Sequence, residues 1–115
     1  PFHSQMLIGA GERLKKDLEK VQMNEFSVPY VANLTADYVT SPENVRELLE
    51  KQISSPVKWQ QSVEKMLAEG VDTFVEIGPG KTLSSFVKKI NKEVLVLNID
   101  KYGDLAKCLE VFANA

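Results

Sequence analysis

Few residues of this chain are of a type that does chemistry, and His3 stands in the setting best suited to it. It is the only histidine. An imidazole changes charge near neutrality and serves as base or acid. His3 sits in Pro1-Phe2-His3-Ser4, a loop-like stretch directly before a helical pattern, where its ring can project into a cleft. Taken alone, a single histidine is more often structural. With no second histidine and no cluster of cysteines, the pattern of a metal site is missing. Cys108, the lone cysteine, falls on the apolar stripe of a helical segment and reads as a small core residue.

Other candidates give way to simpler readings. Gly78-Pro79-Gly80-Lys81-Thr82 lies between a strand pattern and a helix pattern and ends like a phosphate-binding loop. That loop needs a further glycine where this chain has Val75, so it is too short to wrap phosphates. A tight strand-to-helix turn explains it, although a helix start there could still favour an anion or a neighbouring loop. No serine stands in Gly-x-Ser-x-Gly, the turn that presents a nucleophile in hydrolase-like folds. Ser84 and Ser85 fall at the beginning of a helix, where roles at the helix start are natural. Asp100 and Asp104 read as a solvated loop. Lys81, Lys88 and Lys89 read as a solvated face, with at most a weak steering effect on an acidic partner.

The elements that must position these groups follow from periodicity. Leu7, Ala10, Leu14, Leu18 and Val21 predict an amphipathic helix from about Gln5 to Val21. Gly9 and Gly11 weaken its first turns or mark the approach of another backbone, and both readings stay open. Val28–Asn33 reads as a strand with Pro29 near its start. Ser41 as N-cap and Pro42 at the first helical position open a second helix, whose stripe is Val45, Leu48, Leu49 and Ile53, with Gln52 in its last turn. Ser54-Ser55-Pro56 ends it. Trp59, Val63, Met66 and Leu67 mark a third helix closed by Gly70. Val71–Ile77 is a strand, Leu83–Ile90 a helix, Val94–Ile99 a strand apolar enough to be covered on both faces, and Leu105–Phe112 a final helix. The alternation predicts an α/β fold with a mainly parallel sheet and flanking helices. Three strands would leave two outer edges unpaired, so the chain reads as a contiguous piece of a larger core.

Composition narrows the class further. The chain has 115 residues, 43% hydrophobic and 26% charged, with a formal net charge of −2. That is the balance of a globular domain, without the basic footprint of a nucleic-acid binder. Nothing approaches a membrane span or a signal peptide, and the lone cysteine suits a reducing compartment, so the expectation is a cytoplasmic protein.

Four separated stretches then carry a resemblance: Pro1-Phe2-His3-Ser4, Val31-Ala32-Asn33, Gln52–Trp59 and Glu76–Lys81. In order and spacing they are similar to the malonyl-CoA:acyl-carrier-protein transacylases of type II fatty-acid synthesis, from Pro1 to about Lys101. Acyltransferase domains of polyketide and fatty-acid synthases share the pattern more loosely. A non-catalytic α/β interaction module is the reading from another class.

The resemblance implies that residues 1–115 are the C-terminal segment of the large subdomain of an α/β-hydrolase-like acyltransferase. The nucleophile-bearing N-terminal part and a ferredoxin-like insert would be absent, and the segment alone inactive. It implies transfer of a malonyl group from CoA to the phosphopantetheine thiol of acyl carrier protein by a ping-pong Ser-His mechanism, with no cofactor. His3 matches the family's base, and Gln52 the residue whose backbone carbonyl orients that ring. Such a carbonyl is available because the last four of a helix lack intrahelical partners, and they carry the negative end of the helix dipole. Asn33 matches a supporting asparagine. The partners implied are malonyl-CoA, acyl carrier protein and the missing N-terminal portion, with no nucleic acid and no membrane.

Phe2 matches a position where an aromatic side chain accompanies malonyl and a smaller one a branched acyl group. Bulk beside the acyl pocket excludes an added methyl by about 1–3 kcal/mol. In the complete enzyme, Phe2→Ser should therefore raise the methylmalonyl-to-malonyl rate ratio roughly tenfold or more. An unchanged ratio in competing transfer assays would remove Phe2 from the acyl pocket.

Overall fold

The computed structural model describes residues 2–114, in two compact units that divide after Lys65. In the first unit a 3-10 turn, Gln5–Leu7, leads into α1, Ile8–Leu18. Two short strands follow, β1 (Tyr30–Val31) and β2 (Tyr38–Val39), then α2 (Val45–Gln52) and α3 (Trp59–Ala68), whose last turn crosses the division. The second unit holds β3 (Thr73–Ile77), α4 (Thr82–Ile90), β4 (Leu95–Ile99) and α5 (Tyr102–Ala113).

Helices α1 and α2 form the frame of the first unit. Gly11 is buried at their contact: a Cβ built there would lie 2.9 Å from the Glu50 carbonyl oxygen, whereas one at Gly9 would meet nothing within 4 Å. Of the two readings left open by the sequence, Gly11 marks a close backbone approach and Gly9 does not. Lys15 and Glu50 add an ion pair at 3.2 Å across the same face. The C-terminal end of α1 is closed by a side chain from α2: Arg46 donates from Nε to Leu18 O at 2.9 Å and from Nη2 to Val21 O at 2.6 Å. A guanidinium there adds donors to the carbonyls at this end, of which Leu18 O also accepts from Val21 N–H at 3.1 Å, and meets the negative end of the dipole.

The strand predicted at Val28–Asn33 does not join a parallel sheet. Only Tyr30–Val31 is extended into a ladder, and it pairs antiparallel with Tyr38–Val39, register Tyr30↔Val39 and Val31↔Tyr38. The connecting loop is closed locally by Ala32 N–H to Asp37 O at 3.0 Å and Ala36 N–H to Ala32 O at 2.8 Å, with Ala36 at φ 58°. Two residues per strand are too few to show alternation, which is why the hairpin was illegible. The second helix also begins later than Ser41-Pro42 suggested. Val45 N–H bonds Pro42 O at 3.2 Å, a separate turn, and the α register starts at Val45 after Asn44.

In the second unit β3 and β4 run parallel in the register Phe74↔Val96, Glu76↔Asn98 and Ile77↔Ile99, joined by the crossover helix α4. Helix α4 contacts both strands and α5 contacts β4, with Val87, Val94 and Cys108 buried. This is the parallel sheet with flanking helices expected of an α/β chain. Full cover of β4 is not observed, since Leu95 is exposed. On β3, Val75 and Ile77 point to one face and are exposed, Ile77 by 78%.

Asp104, read from the sequence as a loop carboxylate, instead opens α5. It accepts from Lys101 N–H at 3.0 Å and Asp100 N–H at 3.2 Å, and these two bonds hold its carboxyl below the usual range. The general signal was present, an acidic residue three positions after a chain bend and ahead of an apolar run.

Gly11→Val should lower the stability of the chain by about 1–3 kcal/mol, because α1 must move away from the Glu50 carbonyl. Gly9→Val should stay within about 0.5 kcal/mol of the parent, since it meets no neighbour and valine is no worse in a helix than glycine. Denaturant unfolding of the two variants checks both, and equal losses would contradict the close approach at Gly11.

Candidate functional site

His3 and Gln52 are brought together. The Nδ1 atom of His3 lies 2.8 Å from the Gln52 carbonyl oxygen, and the His3 backbone N–H donates to Ile53 O at 3.1 Å. Gln52 is the last residue of α2 and Ile53 the residue that caps it. Two successive carbonyls at the end of α2 thus hold one residue by both its ring and its main chain. A carbonyl oxygen only accepts, so in the neutral ring this contact favours the tautomer with the proton on Nδ1 and the lone pair on Nε2. The ring is exposed. His3 also has φ 58°, a left-handed conformation that costs a residue with a Cβ about 1–2 kcal/mol. Strain of this kind persists where the surrounding contacts over-determine it. Here those contacts are the two bonds to α2.

The other predicted residues are placed as follows. Phe2 is 89% exposed beside His3 in sequence. Asn33 is half-buried, and its carbonyl accepts from Lys58 N–H at 3.0 Å, tying the β1–β2 loop to the residue before α3. The hydrogen bonds of the described residues join His3 to α2 and Asn33 to Lys58, without a bond between the two groups.

The glycine turn proves to be filled from within. Gly78 and Gly80 have φ of 137° and 87°, which a residue with a Cβ rarely adopts. This turn sets the start of α4 over β3, and Glu76 of that strand supplies the anion. Its Oε2 accepts from Ser84 N–H at 2.8 Å and from the Ser84 hydroxyl, and its Oε1 accepts from Leu83 N–H at 3.2 Å. Asn98 of β4 donates to Glu76 Oε2 at 3.2 Å and to Ser84 Oγ at 2.6 Å. The Ser84 hydroxyl, then its N–H, with smaller help from Leu83 and Asn98, hold the Glu76 carboxyl below its ordinary value of 4.5 against the opposing effect of burial. Sequence reasoning missed Glu76, Ser84 and Asn98 as one unit. Only the strand register, which places Glu76 beside Asn98, brings them together. Among the described residues no cluster of His, Cys, Asp and Glu could hold a metal ion, and no helix is long and apolar enough to cross a membrane.

An exposed imidazole held at the end of a helix leaves its second ring nitrogen free of that contact, a geometry in which a histidine can exchange a proton with a neighbouring group. No family model matches the chain. The malonyl CoA-acyl carrier protein transacylase of Bacillus subtilis is 41% identical over 99 residues, which is 86% of this chain and 31% of that relative. A solved structure of the Clostridium perfringens transacylase matches with a TM-score of 0.90 at 43% identity, over 99% of this chain and 36% of the other. That from Bartonella henselae gives 0.92 at 32% identity, over 98% and 36%. The chain is thus similar to the malonyl CoA-acyl carrier protein transacylases, and it spans about a third of the length of the relatives it matches.

A carboxylate whose pKa is lower folded than unfolded stabilises the fold fully above the unfolded value, and that contribution is lost as pH falls through the folded one. Acidification below 4.5 should therefore release the start of α4. Glu76→Gln should narrow the difference in unfolding midpoint between neutral pH and about pH 3. The same difference in variant and parent would show that Glu76 does not contribute.

Proposed function

We propose that this chain is the C-terminal segment of the large subdomain of a malonyl-CoA:acyl-carrier-protein transacylase and supplies its catalytic base, His3. The observation that carries the reading is the 2.8 Å contact between His3 Nδ1 and the Gln52 carbonyl, which leaves Nε2 as the acceptor. A serine from the rest of the enzyme attacks the malonyl thioester while its hydroxyl proton passes to Nε2. The thioester C–S bond breaks, and CoA leaves as a thiol with that proton. The phosphopantetheine thiol of the carrier protein then gives its proton to Nε2 and attacks the malonyl-serine ester. The serine oxygen leaves and recovers the proton. In both halves the imidazolium lies against the negative end of α2, a favourable position for a transient positive charge. No cofactor takes part.

Two further facts support the assignment of partners and of the missing segment. A solved relative, matched at 29% identity with a TM-score of 0.90, is a malonyl-transacylase in complex with a type II PKS acyl-carrier protein. The β3–β4 pair has only two strands with Val75 and Ile77 exposed on one face, whereas parallel sheets are covered on both. The remainder of the enzyme would extend the sheet, cover that face and bring the serine. In this reading Asn33 is a supporting hydrogen-bonder, and Phe2 borders the acyl group.

The test is to supply the remainder of the enzyme and measure malonyl transfer to carrier protein. His3→Ala should cost at least about a thousandfold in kcat. Gln52→Leu, which keeps the carbonyl, should stay within about threefold of the parent. A loss in Gln52→Leu comparable to that in His3→Ala would contradict the carbonyl's role, and an active His3→Ala would remove the base itself.

A further inference from the structure

We infer that Arg46 is a positioning residue for His3, acting from the far end of the α1–α2 pair. The inference rests on His3 as the base but concerns a residue that the chemistry itself does not touch. Helix α2 meets the α1 segment at both of its ends. At its C-terminal end the Gln52 and Ile53 carbonyls take the ring and the main-chain N–H of His3, which precedes α1. Near its N-terminal end Arg46 takes Leu18 O at 2.9 Å and Val21 O at 2.6 Å, at and just beyond the last residue of α1. Six helical steps separate Arg46 from Gln52, roughly 9 Å along the axis. Between the two ends the backbones touch at Gly11 and Glu50.

The pair is therefore closed like a clasp with two catches. With one catch open, α1 can pivot on the Gly11 contact, and the lever passes through α1 to the segment that carries His3. The ring depends on a single bond to a carbonyl that cannot follow it, since Gln52 is fixed in α2. A misplacement of about 1 Å at a reacting group costs on the order of a hundredfold in rate, so partial release by loss of one catch should cost less, about tenfold. The guanidinium suits the role because its planar fork reaches two carbonyls at once, which a lysine ammonium on a flexible stem does not reproduce.

In the complete transacylase, Arg46→Met should lower kcat for malonyl transfer about tenfold with KM for malonyl-CoA within about twofold. In a His3→Ala background the same change should leave the residual rate unaltered, because a residue acting only through His3 has nothing left to position. Arg46→Lys should recover part of the loss, and if Arg46→Met does not fold, Arg46→Lys serves in its place with a smaller, equally non-additive decrease. Loss by the same factor with and without His3 would assign Arg46 a merely structural role, and wild-type kcat in Arg46→Met would also overturn the inference. These outcomes differ from failure of the base assignment, which would appear as an active His3→Ala enzyme.

Discussion

The end of α2 is the constraint on which the first unit depends. A helix leaves its last carbonyls without partners, and they must be satisfied by side chains, water or another segment. Here the Ile53 carbonyl takes the main-chain N–H of His3, 50 positions away, and the Gln52 carbonyl, which also accepts from Ser55 N–H at 3.4 Å, takes its ring. In that arrangement His3 holds a left-handed conformation, φ 58°, and the bonds to α2 offset its strain. It also needs α1 to lie close along α2, which the missing side chain at Gly11 permits.

The same physics appears with opposite sign at α4. The positive end of a helix favours an anion, and where a glycine-rich turn precedes it the usual expectation is a phosphate. In this chain the anion is internal. Glu76 reaches from β3 to Leu83 and Ser84, and Asn98 from β4 braces both. The carboxylate explains why Gly78-Pro79-Gly80 can have a structural purpose without any bound nucleotide. One helix end thus orients an imidazole, and another locks a crossover between parallel strands.

How much of this could be read beforehand depended on how far apart the interacting residues lie in sequence. Helices α3 and α4, the strand before Gly78 and the turn at Gly78–Gly80 follow from local periodicity and turn chemistry, and they were legible. The contact of His3 with the Gln52 carbonyl was reached through the resemblance of four stretches, since no periodicity connects a loop histidine to a carbonyl. The β1–β2 hairpin escaped because two residues per strand give no alternation, although the repeated Tyr-Val at 30–31 and 38–39 around a polar loop was a usable sign. Arg46 escaped for a different reason. An arginine in the first turn of a helix reads as surface charge until the end of another helix is known to lie against it. The Glu76–Ser84–Asn98 group needed the β3–β4 register, and register is set by packing as well as by sequence.

The end of α2 fixes the ring of His3, and because the chain holds one histidine a single nitrogen spectrum addresses it. Long-range proton–nitrogen correlation of the neutral imidazole should show the proton on Nδ1, with Nε2 as the unprotonated nitrogen. A ring protonated on Nε2, or one averaging freely between the two tautomers, would contradict the account.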